Sequence, residues 1–242
     1  MPTRFQHVVV DAADPAALAR WWAEALGWTV TLVEPDEVVV EPPEPDGIGV
    51  PLVFVPVPDP KVGKNRVHLD LRSASADDQA AQVARLTGLG AHPADIGQGE
   101  VPWVVLADPE GNELCVLDPR DAYVATGAVA AIVVDCADPM ELAGFWSEAA
   151  GWPLVRSGEG WASLRSPSGK GPYIELIRVD EPKRVKDRLH LDVAPYRDDD
   201  QAAEVARLRS LGAVPADVGQ GEVPWVVLAD PEGNEFCVLT PR

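Results

Sequence analysis

The triplet histidine–leucine–aspartate occurs twice in the chain, in sequence runs that alternate apolar and polar residues. Such alternation is typical of a strand, so the histidine and the aspartate share one face and the leucine takes the other. A carboxylate beside an imidazole favours the protonated ring and orients it for proton transfer. We therefore interpret His68 with Asp70, and His190 with Asp192, as candidate catalytic pairs. The alternative is a structural pair that hydrogen-bonds to neighbouring strands.

Tryptophan and cysteine supply further candidate ligand-binding side chains. Trp103 and Trp225 lie in the apolar run VPWVVLA, where they offer flat surfaces for stacking an aromatic ligand. Cys115 and Cys237 lie on the next strand, where a buried cysteine also serves as a small hydrophobe. The three cysteines include no C-x-x-C pair and predict no disulfide framework. Five other tryptophans lie on or just after predicted helices and are expected in the core: Trp21, Trp22, Trp28, Trp146 and Trp152.

The segment GQGEVPWVVLADPEGNE occurs twice without change, at residues 97–113 and 219–235. It reads as a β-branched strand, a tight turn with Pro and Gly, and the start of a second strand, which together predict a hairpin. Identical segments in both halves indicate a tandem duplication. We therefore predict two domains, at 1–120 and 127–242, joined by a link around 118–127.

Each half repeats the same order of elements. The first helix of the chain is predicted after Asp14, a typical N-cap, with Pro15 at its first position and Gly27 just beyond its end. A second amphipathic pattern, ADDQAAQVARLTGLG, follows several short strands. Each half thus predicts the order β-α-β-β-β twice, and the fold class is α+β.

Composition limits the partners. The chain has 39 acidic and 20 basic residues and a formal net charge of −19. This balance argues against nucleic acid or an anionic membrane surface, both of which need a basic face. The sequence has no hydrophobic signal core and no apolar run of transmembrane length. We expect a cytoplasmic protein, a monomer or a homodimer, whose partner is a small molecule.

Three motifs taken in order resemble the vicinal oxygen chelate superfamily of glyoxalase I, bleomycin-resistance proteins and extradiol dioxygenases. They are HVVVDAADPAALARWW, GKNRVHLDL and LADPEGNELCVL, and they are most similar to actinobacterial glyoxalase-like domain proteins. The resemblance implies two tandem glyoxalase-like domains, each of two βαβββ modules whose curved mixed sheet forms a cup for the ligand. Modules pair within a domain in some relatives and are exchanged in others, and exchange would bring His7 to His190 and Cys237.

The resemblance also implies where metal ligands would lie. Metal-dependent relatives use four strand positions, which in this chain carry His7, Phe54, His68 and Cys115 in the first half, and Ala131, Glu175, His190 and Cys237 in the second. The carboxylate of the last strand is thus replaced by cysteine in both halves. Glu113 and Glu235 lie two residues earlier on the same strand face and are candidate substitutes.

Neither half carries three ligands of the usual type, so we predict no cofactor. The alternative is one divalent metal such as Ni, Zn or Fe, with His7, His68, Glu175 and His190 as its candidate ligands.

Three functions follow from these residues. The first is a metal-free protein that sequesters an apolar or aromatic molecule, as the bleomycin-resistance branch does. The second is a metal-free enzyme that uses a His–Asp pair as general base, a lyase or isomerase rather than a dioxygenase. The third is a metal-dependent enzyme of the glyoxalase or dioxygenase type. The candidate ligand-binding residues are His7, Phe54, Trp103, Glu113, Cys115, Glu175, Trp225, Glu235 and Cys237.

Overall fold

A computed structural model describes residues 3–43 and 49–242, which form four α-helices and sixteen strands. The elements repeat the order strand, helix and three strands four times, which confirms the predicted α+β fold of βαβββ modules. Residues 41–49, EPPEPDGIG, predict a loop because three prolines and two glycines leave few ladder hydrogen bonds, and most of this segment lies outside the described residues. No helix among the described residues is both long and apolar enough to cross a membrane.

The first half contains modules 1 and 2. Module 1 consists of β1 (Arg4–Ala12), α1 (Pro15–Leu26), β2 (Thr29–Val33), β3 (Val38–Glu41) and β4 (Leu52–Pro56). Module 2 consists of β5 (Val67–Leu71), α2 (Ala76–Gly88), β6 (His92–Pro93), β7 (Val104–Ala107) and β8 (Glu113–Val116). The linker that follows contains one 3-10 turn, Asp121–Tyr123.

The second half contains modules 3 and 4. Module 3 consists of β9 (Val129–Cys136), α3 (Pro139–Ala150), β10 (Leu154–Gly158), β11 (Trp161–Arg165) and β12 (Tyr173–Arg178). Module 4 consists of β13 (Leu189–Ala194), α4 (Gln201–Ser210), β14 (Val214–Pro215), β15 (Val226–Ala229) and β16 (Glu235–Val238).

Local sequence sets the ends of α1. Asp14 precedes the helix, and its carboxylate accepts the backbone N–H of Ala17 at 3.0 Å. Pro15 occupies the first turn, where its missing N–H costs nothing. Gly27 ends the helix with a left-handed φ of 68°, a conformation that glycine adopts without steric cost. The predicted caps of this helix are confirmed.

Strand pairing decides which modules share a sheet. The first sheet has the order β14-β15-β16-β13-β1-β4-β3-β2, and the second has the order β10-β11-β12-β9-β5-β8-β7-β6. Module 1 therefore pairs with module 4, and module 2 pairs with module 3. Of the two arrangements that the sequence left open, the structure has the exchanged one, in which each sheet combines a module from each half.

The repeated hairpin turn fastens the two sheets together. The Asp108 carboxylate accepts a hydrogen bond from the backbone N–H of Asn112 at 2.9 Å, and this bond closes the turn. The same carboxylate also accepts one from the indole N–H of Trp22 at 3.1 Å. Trp22 belongs to module 1 of the first sheet, whereas Asp108 follows β7 of the second sheet. Asp230 and Trp146 make the same contact in the second half, also at 3.1 Å. The unchanged segment is therefore largely architectural.

The helices cover one face of each sheet, and a single core of buried apolar side chains extends across all four modules. We call the opposite faces cup A, on the first sheet, and cup B, on the second. Strand parity assigns side chains to them: Val8 and Val10 of β1 lie in the helix-side core, so Val9 of β1 lies in cup A. The candidate chemistry lies in these two cups.

Candidate functional site

Cup A contains one of the two predicted His–Asp pairs. Leu189 and Leu191 of β13 point into the helix-side core, so His190 and Asp192 point into the cup. The Nδ1 atom of His190 lies 2.8 Å from Oδ1 of Asp192, and both side chains are nearly buried. The Nε2 atom of His190 has no hydrogen-bond partner among the described residues. A ring held in this way presents Nε2 to a ligand.

A second histidine reaches the same carboxylate from the other half of the chain. In the β1–β13 pairing, His7 lies opposite Asp192, and its Nε2 atom is 3.3 Å from Oδ2 of Asp192. The backbone N–H of Cys237 donates to Oδ1 of Asp192 at 3.2 Å. One carboxylate thus joins two imidazoles. Exchange of modules between the sheets creates this group, because His7 is in module 1 and Asp192 is in module 4.

The electrostatics of cup A favour a charged pair. Burial opposes ionisation of Asp192, but the charge and hydrogen bond of His190, with those of His7, lower its pKa to about 2. Burial also opposes the protonated form of His190, but Asp192 outweighs it and raises the His190 pKa above the ordinary value. His190 thus keeps its proton to a higher pH than a free imidazole does.

An apolar wall faces these polar groups. Five side chains of module 1 on the cup side of the first sheet are aliphatic: Val9, Leu32, Val39, Val53 and Val55. Each alternates with a neighbour that packs against the helices, such as Val8 or Leu52. Cup A therefore has one aliphatic side and one side that carries imidazole and carboxylate.

The prediction that Phe54 lines the first cup is wrong. Phe54 is fully buried in the helix-side core. In the parallel pairing of β1 with β4, Val9 lies opposite Val53, and in the equivalent pairing Val133 lies opposite Glu175. The structural counterpart of Glu175 is thus Val53. The sequence comparison matched Glu175 with Phe54, one residue too far along the strand, and a shift of one residue moves a side chain to the other face.

Trp225 and Cys237 lie on the other side of cup A. Trp225 packs partly buried against a small cluster that includes Cys237, and its indole N–H donates to Oε1 of Gln220 at 2.9 Å. Trp103 takes the equivalent place in cup B, where the guanidinium of Arg120 lies 5.8 Å from its ring centroid. Both tryptophans are therefore on the cup side of their strands.

Cup B contains the same triplet in a different state. The Nε2 atom of His68 is 3.6 Å from Oδ1 of Asp70, which is too long for a hydrogen bond. Burial, and then the charge of Lys64, lower the His68 pKa to about 3. Burial raises the Asp70 pKa to about 7. The charge of Glu175 adds to this rise, whereas the hydrogen bond from the Cys115 thiol and the charge of Arg120 oppose it. Burial thus favours the neutral forms of this pair, whereas the counterpart in cup A favours the charged forms.

The linker between the halves fills cup B. Tyr123 is 5% exposed and packs in a cluster with Cys115, Ala131 and Tyr173. Its hydroxyl donates to the Glu175 carboxylate, 3.1 Å from each oxygen. The hydroxyl of Ser163 and the guanidinium of Arg156 also donate to Glu175, at 3.1 and 3.2 Å. The sequence did not single out Tyr123, Ser163 or Arg156, because only the tertiary fold brings them to Glu175.

Glu113 and Glu235 do not join the histidines. The Glu113 carboxylate lies 2.7 Å from Nζ of Lys61 and accepts the backbone N–H of Asn65 at 3.1 Å. Glu235 is held in the same way by Lys183, at 2.7 Å. Both glutamates thus anchor the connections that cross from one sheet to the other, and neither replaces the carboxylate missing from the last strand.

Cup A and cup B each contain a potential metal-binding group. One ligand atom each from His190, Asp192 and Cys237 lie within 4.8 Å of one another, and the same holds for His68, Asp70 and Cys115. In cup A, however, the two oxygens of Asp192 already contact His190 and His7. Burial, followed by the charge of Asp192, raises the pKa of Cys237 far above its ordinary value, so the thiol keeps its proton. In this arrangement the Asp192 carboxylate is shared by the two imidazoles, and the Cys237 thiol is neutral.

Known proteins share both the sequence pattern and the fold. The family model of the glyoxalase-like domain matches residues 7–117 and 131–239. Among solved structures, glyoxalase I from Zea mays matches with a TM-score of 0.67 and 14% identity, over 98% of this chain and 92% of that chain. A putative dioxygenase from Bacillus subtilis matches with a TM-score of 0.61 and 14% identity, over 99% and 85%. At these identities the structures support the fold alone. No curated protein matches the chain.

Proposed function

The chain belongs to the glyoxalase-like domain family, and from this premise we propose that it binds a small apolar or aromatic molecule in cup A and moves a proton on it through His190. The observation that carries the proposal is the carboxylate of Asp192, held between His190 at 2.8 Å and His7 at 3.3 Å. We further propose that the protein acts in the cytoplasm, as a monomer or a homodimer, with this small molecule as its partner.

The lining of cup A supports an apolar ligand with one reactive polar end. The partly exposed aliphatic side chains of module 1, such as Leu32 and Val39, offer surface for a ring or an alkyl group. Trp225 on the other side of the cup supplies an aromatic surface. The polar end of the ligand would then lie against His190.

The proposed reaction is a proton transfer at a carbon next to a carbonyl. The neutral form of His190, whose share grows as pH rises through its raised pKa, accepts the proton at Nε2, and the electron pair of the broken C–H bond moves into the carbonyl as an enolate. The imidazolium returns the proton to another atom of the same molecule, as an isomerase does, or to a leaving group, as a lyase does. Asp192 stays ionised and stabilises the imidazolium, and His7 positions Asp192.

Deuterium exchange into a simple aryl ketone tests this proposal. We expect the protein to accelerate exchange at the methylene carbon of phenylacetone in D2O, as followed by proton NMR. His190→Ala should reduce that acceleration at least about 100-fold, a typical effect of losing a general base. His68→Ala is the matched control, because His68 lies in the filled cup and should leave the rate unchanged. Equal rates for the protein and the His190→Ala variant would refute the role of His190.

A second candidate is a protein that sequesters the same class of molecule without transforming it. The aliphatic wall and Trp225 favour it, because neither depends on His190. Quenching of tryptophan fluorescence by phenylacetone separates the two candidates. Sequestration predicts saturable quenching in the unmodified protein and in His190→Ala, with no exchange in either.

A further inference from the structure

The linker residue Tyr123 occupies cup B as a ligand would. Its ring meets the ring of Tyr173 edge to face, with centroids 5.8 Å apart at an angle of 71°. The guanidinium of Arg156 lies 5.8 Å from the centroid of the Tyr123 ring. With the hydroxyl bound to Glu175, every face of this phenol has a partner of complementary chemistry.

Most of these partners belong to the sheet rather than to the linker. Glu175, Tyr173, Ser163 and Arg156 lie on β10, β11 and β12, so they remain in place when Tyr123 leaves. A buried carboxylate needs a donor, and a phenol from solution would supply the same hydroxyl. Exchange of one phenol for the other therefore preserves the hydrogen bond and the ring contacts.

The linker is attached to the surface by few elements. Between β8 and β9 it forms one 3-10 turn, and Val124, next to Tyr123, is 63% exposed. Besides the Tyr123 contacts, the carbonyl of Ala125 accepts from Arg165 at 3.1 Å and from the backbone N–H of Gly171 at 3.2 Å, and the carbonyl of Ala122 accepts from Tyr173 at 3.3 Å. The guanidinium of Arg120 also lies 5.8 Å from the centroid of the Trp103 ring. Of its apolar side chains, Tyr123 is buried in the cup B cluster, Ala122 packs partly buried against it, and Val124 is exposed.

We propose that cup B is a binding site for a phenol, and that Tyr123 closes this site by competing for it from within the chain. The ligand class is an aromatic ring with a free hydroxyl, since that is the chemistry that Glu175 and Tyr173 recognise. Because Tyr123 is tethered, it acts as a competitor at high local concentration and lowers the apparent affinity for the free phenol. The proposal concerns cup B alone and does not depend on the reaction proposed for cup A.

Calorimetric titration with p-cresol, the side chain of tyrosine as a free molecule, tests this competition. We expect Tyr123→Ala to bind one p-cresol at least about tenfold more tightly than the unmodified protein. Toluene, which lacks the hydroxyl, should bind Tyr123→Ala at least about tenfold more weakly than p-cresol. Val124→Ala, a change at the exposed neighbour, is the matched control and should behave like the unmodified protein. Equal p-cresol affinity for Tyr123→Ala and the unmodified protein, or equal affinity for toluene and p-cresol, would overturn the proposal.

Hydrogen exchange on the unmodified protein provides a test that needs no stable Tyr123 variant. Saturating p-cresol should speed amide exchange of the linker, residues 118–127, while the β11 and β12 amides stay protected. Glu175→Gln should weaken this response to p-cresol, because it replaces a charged acceptor by a neutral one. Linker exchange that p-cresol leaves unchanged would show that a phenol does not displace Tyr123.

Discussion

Cup A and cup B contain the same histidine–leucine–aspartate triplet and differ in almost everything around it. In cup A, His190 and Asp192 are 2.8 Å apart and their shifted pKa values favour the charged forms. In cup B, His68 and Asp70 are 3.6 Å apart and their shifted pKa values favour the neutral forms. The main difference lies across the central strand pair, where His7 faces Asp192 and Ala131 faces Asp70. The protonation state of a histidine–leucine–aspartate triplet therefore depends on the strand opposite, and the triplet alone does not define it.

The two cups also differ in what fills them. Cup B holds Tyr123 and Tyr173 over a carboxylate that three side chains already bind. Cup A has an aliphatic wall opposite its imidazoles. Cup A thus combines aliphatic side chains with a His–Asp pair, whereas the linker of the chain fills cup B.

The comparison predicts opposite stability changes for one substitution made in each cup. Asp192→Asn removes the charge that pairs with His190 and His7, so we expect a loss of about 2–4 kcal/mol in the free energy of unfolding near pH 7. Asp70→Asn replaces a carboxyl that burial disfavours in its charged form. At pH 8 we therefore expect Asp70→Asn to raise the free energy of unfolding by on the order of 2–4 kcal/mol. Urea denaturation of the two variants and the unmodified protein measures both changes.

The pH dependence of these changes provides the control. Folding raises the Asp70 pKa from 3.8 to about 7. The favourable contribution of Asp70 to the free energy of unfolding is therefore present at low pH and is lost as pH rises through that interval. The gain from Asp70→Asn should thus vanish near pH 4. The Asp192 pKa is lowered to about 2, so the Asp192 contribution is lost only as pH falls below about 4. Changes of the same sign in both cups at pH 8 would contradict the assigned charge states.

His7→Ala should make cup A resemble cup B. Loss of the second imidazole removes one contact of Asp192, so the Asp192 pKa should rise and His190 should be held less firmly. We expect the rate of phenylacetone exchange to fall about tenfold, the effect of losing roughly 1.4 kcal/mol of transition-state stabilisation.

Two readouts distinguish positioning by His7 from a loss of folding. The pH profile of the remaining activity should shift, because the His190 pKa depends on the charge of Asp192. His7→Gln retains a side-chain N–H donor and should restore part of the rate. An unshifted profile with an unchanged rate would show that His7 does not act through Asp192.

The smallest expected effect is that of metal removal. Because Asp192 is already bound by both histidines and the Cys237 thiol keeps its proton, chelation with EDTA should change neither the thermal midpoint nor the exchange rate. Elemental analysis of protein purified without a histidine tag measures any bound metal directly. A stoichiometric transition metal, with activity lost on chelation and regained on addition of Ni²⁺, Zn²⁺ or Fe²⁺, would establish the metal-dependent alternative.

Local patterns were sufficient to predict much of this protein. Alternation along β13 correctly separated Leu191 from His190 and Asp192, because side chains of a strand point to opposite faces in turn. The residues Asp14, Pro15 and Gly27 defined the first helix, because caps act within one helical turn. Phe54 shows the limit of this method, since a one-residue error in register moves a side chain to the other face.

The sequence by itself determined the duplication, the four modules and the residues able to do chemistry. Only the tertiary structure decided that module 1 pairs with module 4, that His7 consequently reaches Asp192, and that Tyr123 enters cup B. The physical reason is distance along the chain. Caps, turns and strand parity depend on neighbouring residues, whereas the pairing of β1 with β13 and the pKa values of His68 and His190 depend on groups that only folding brings together.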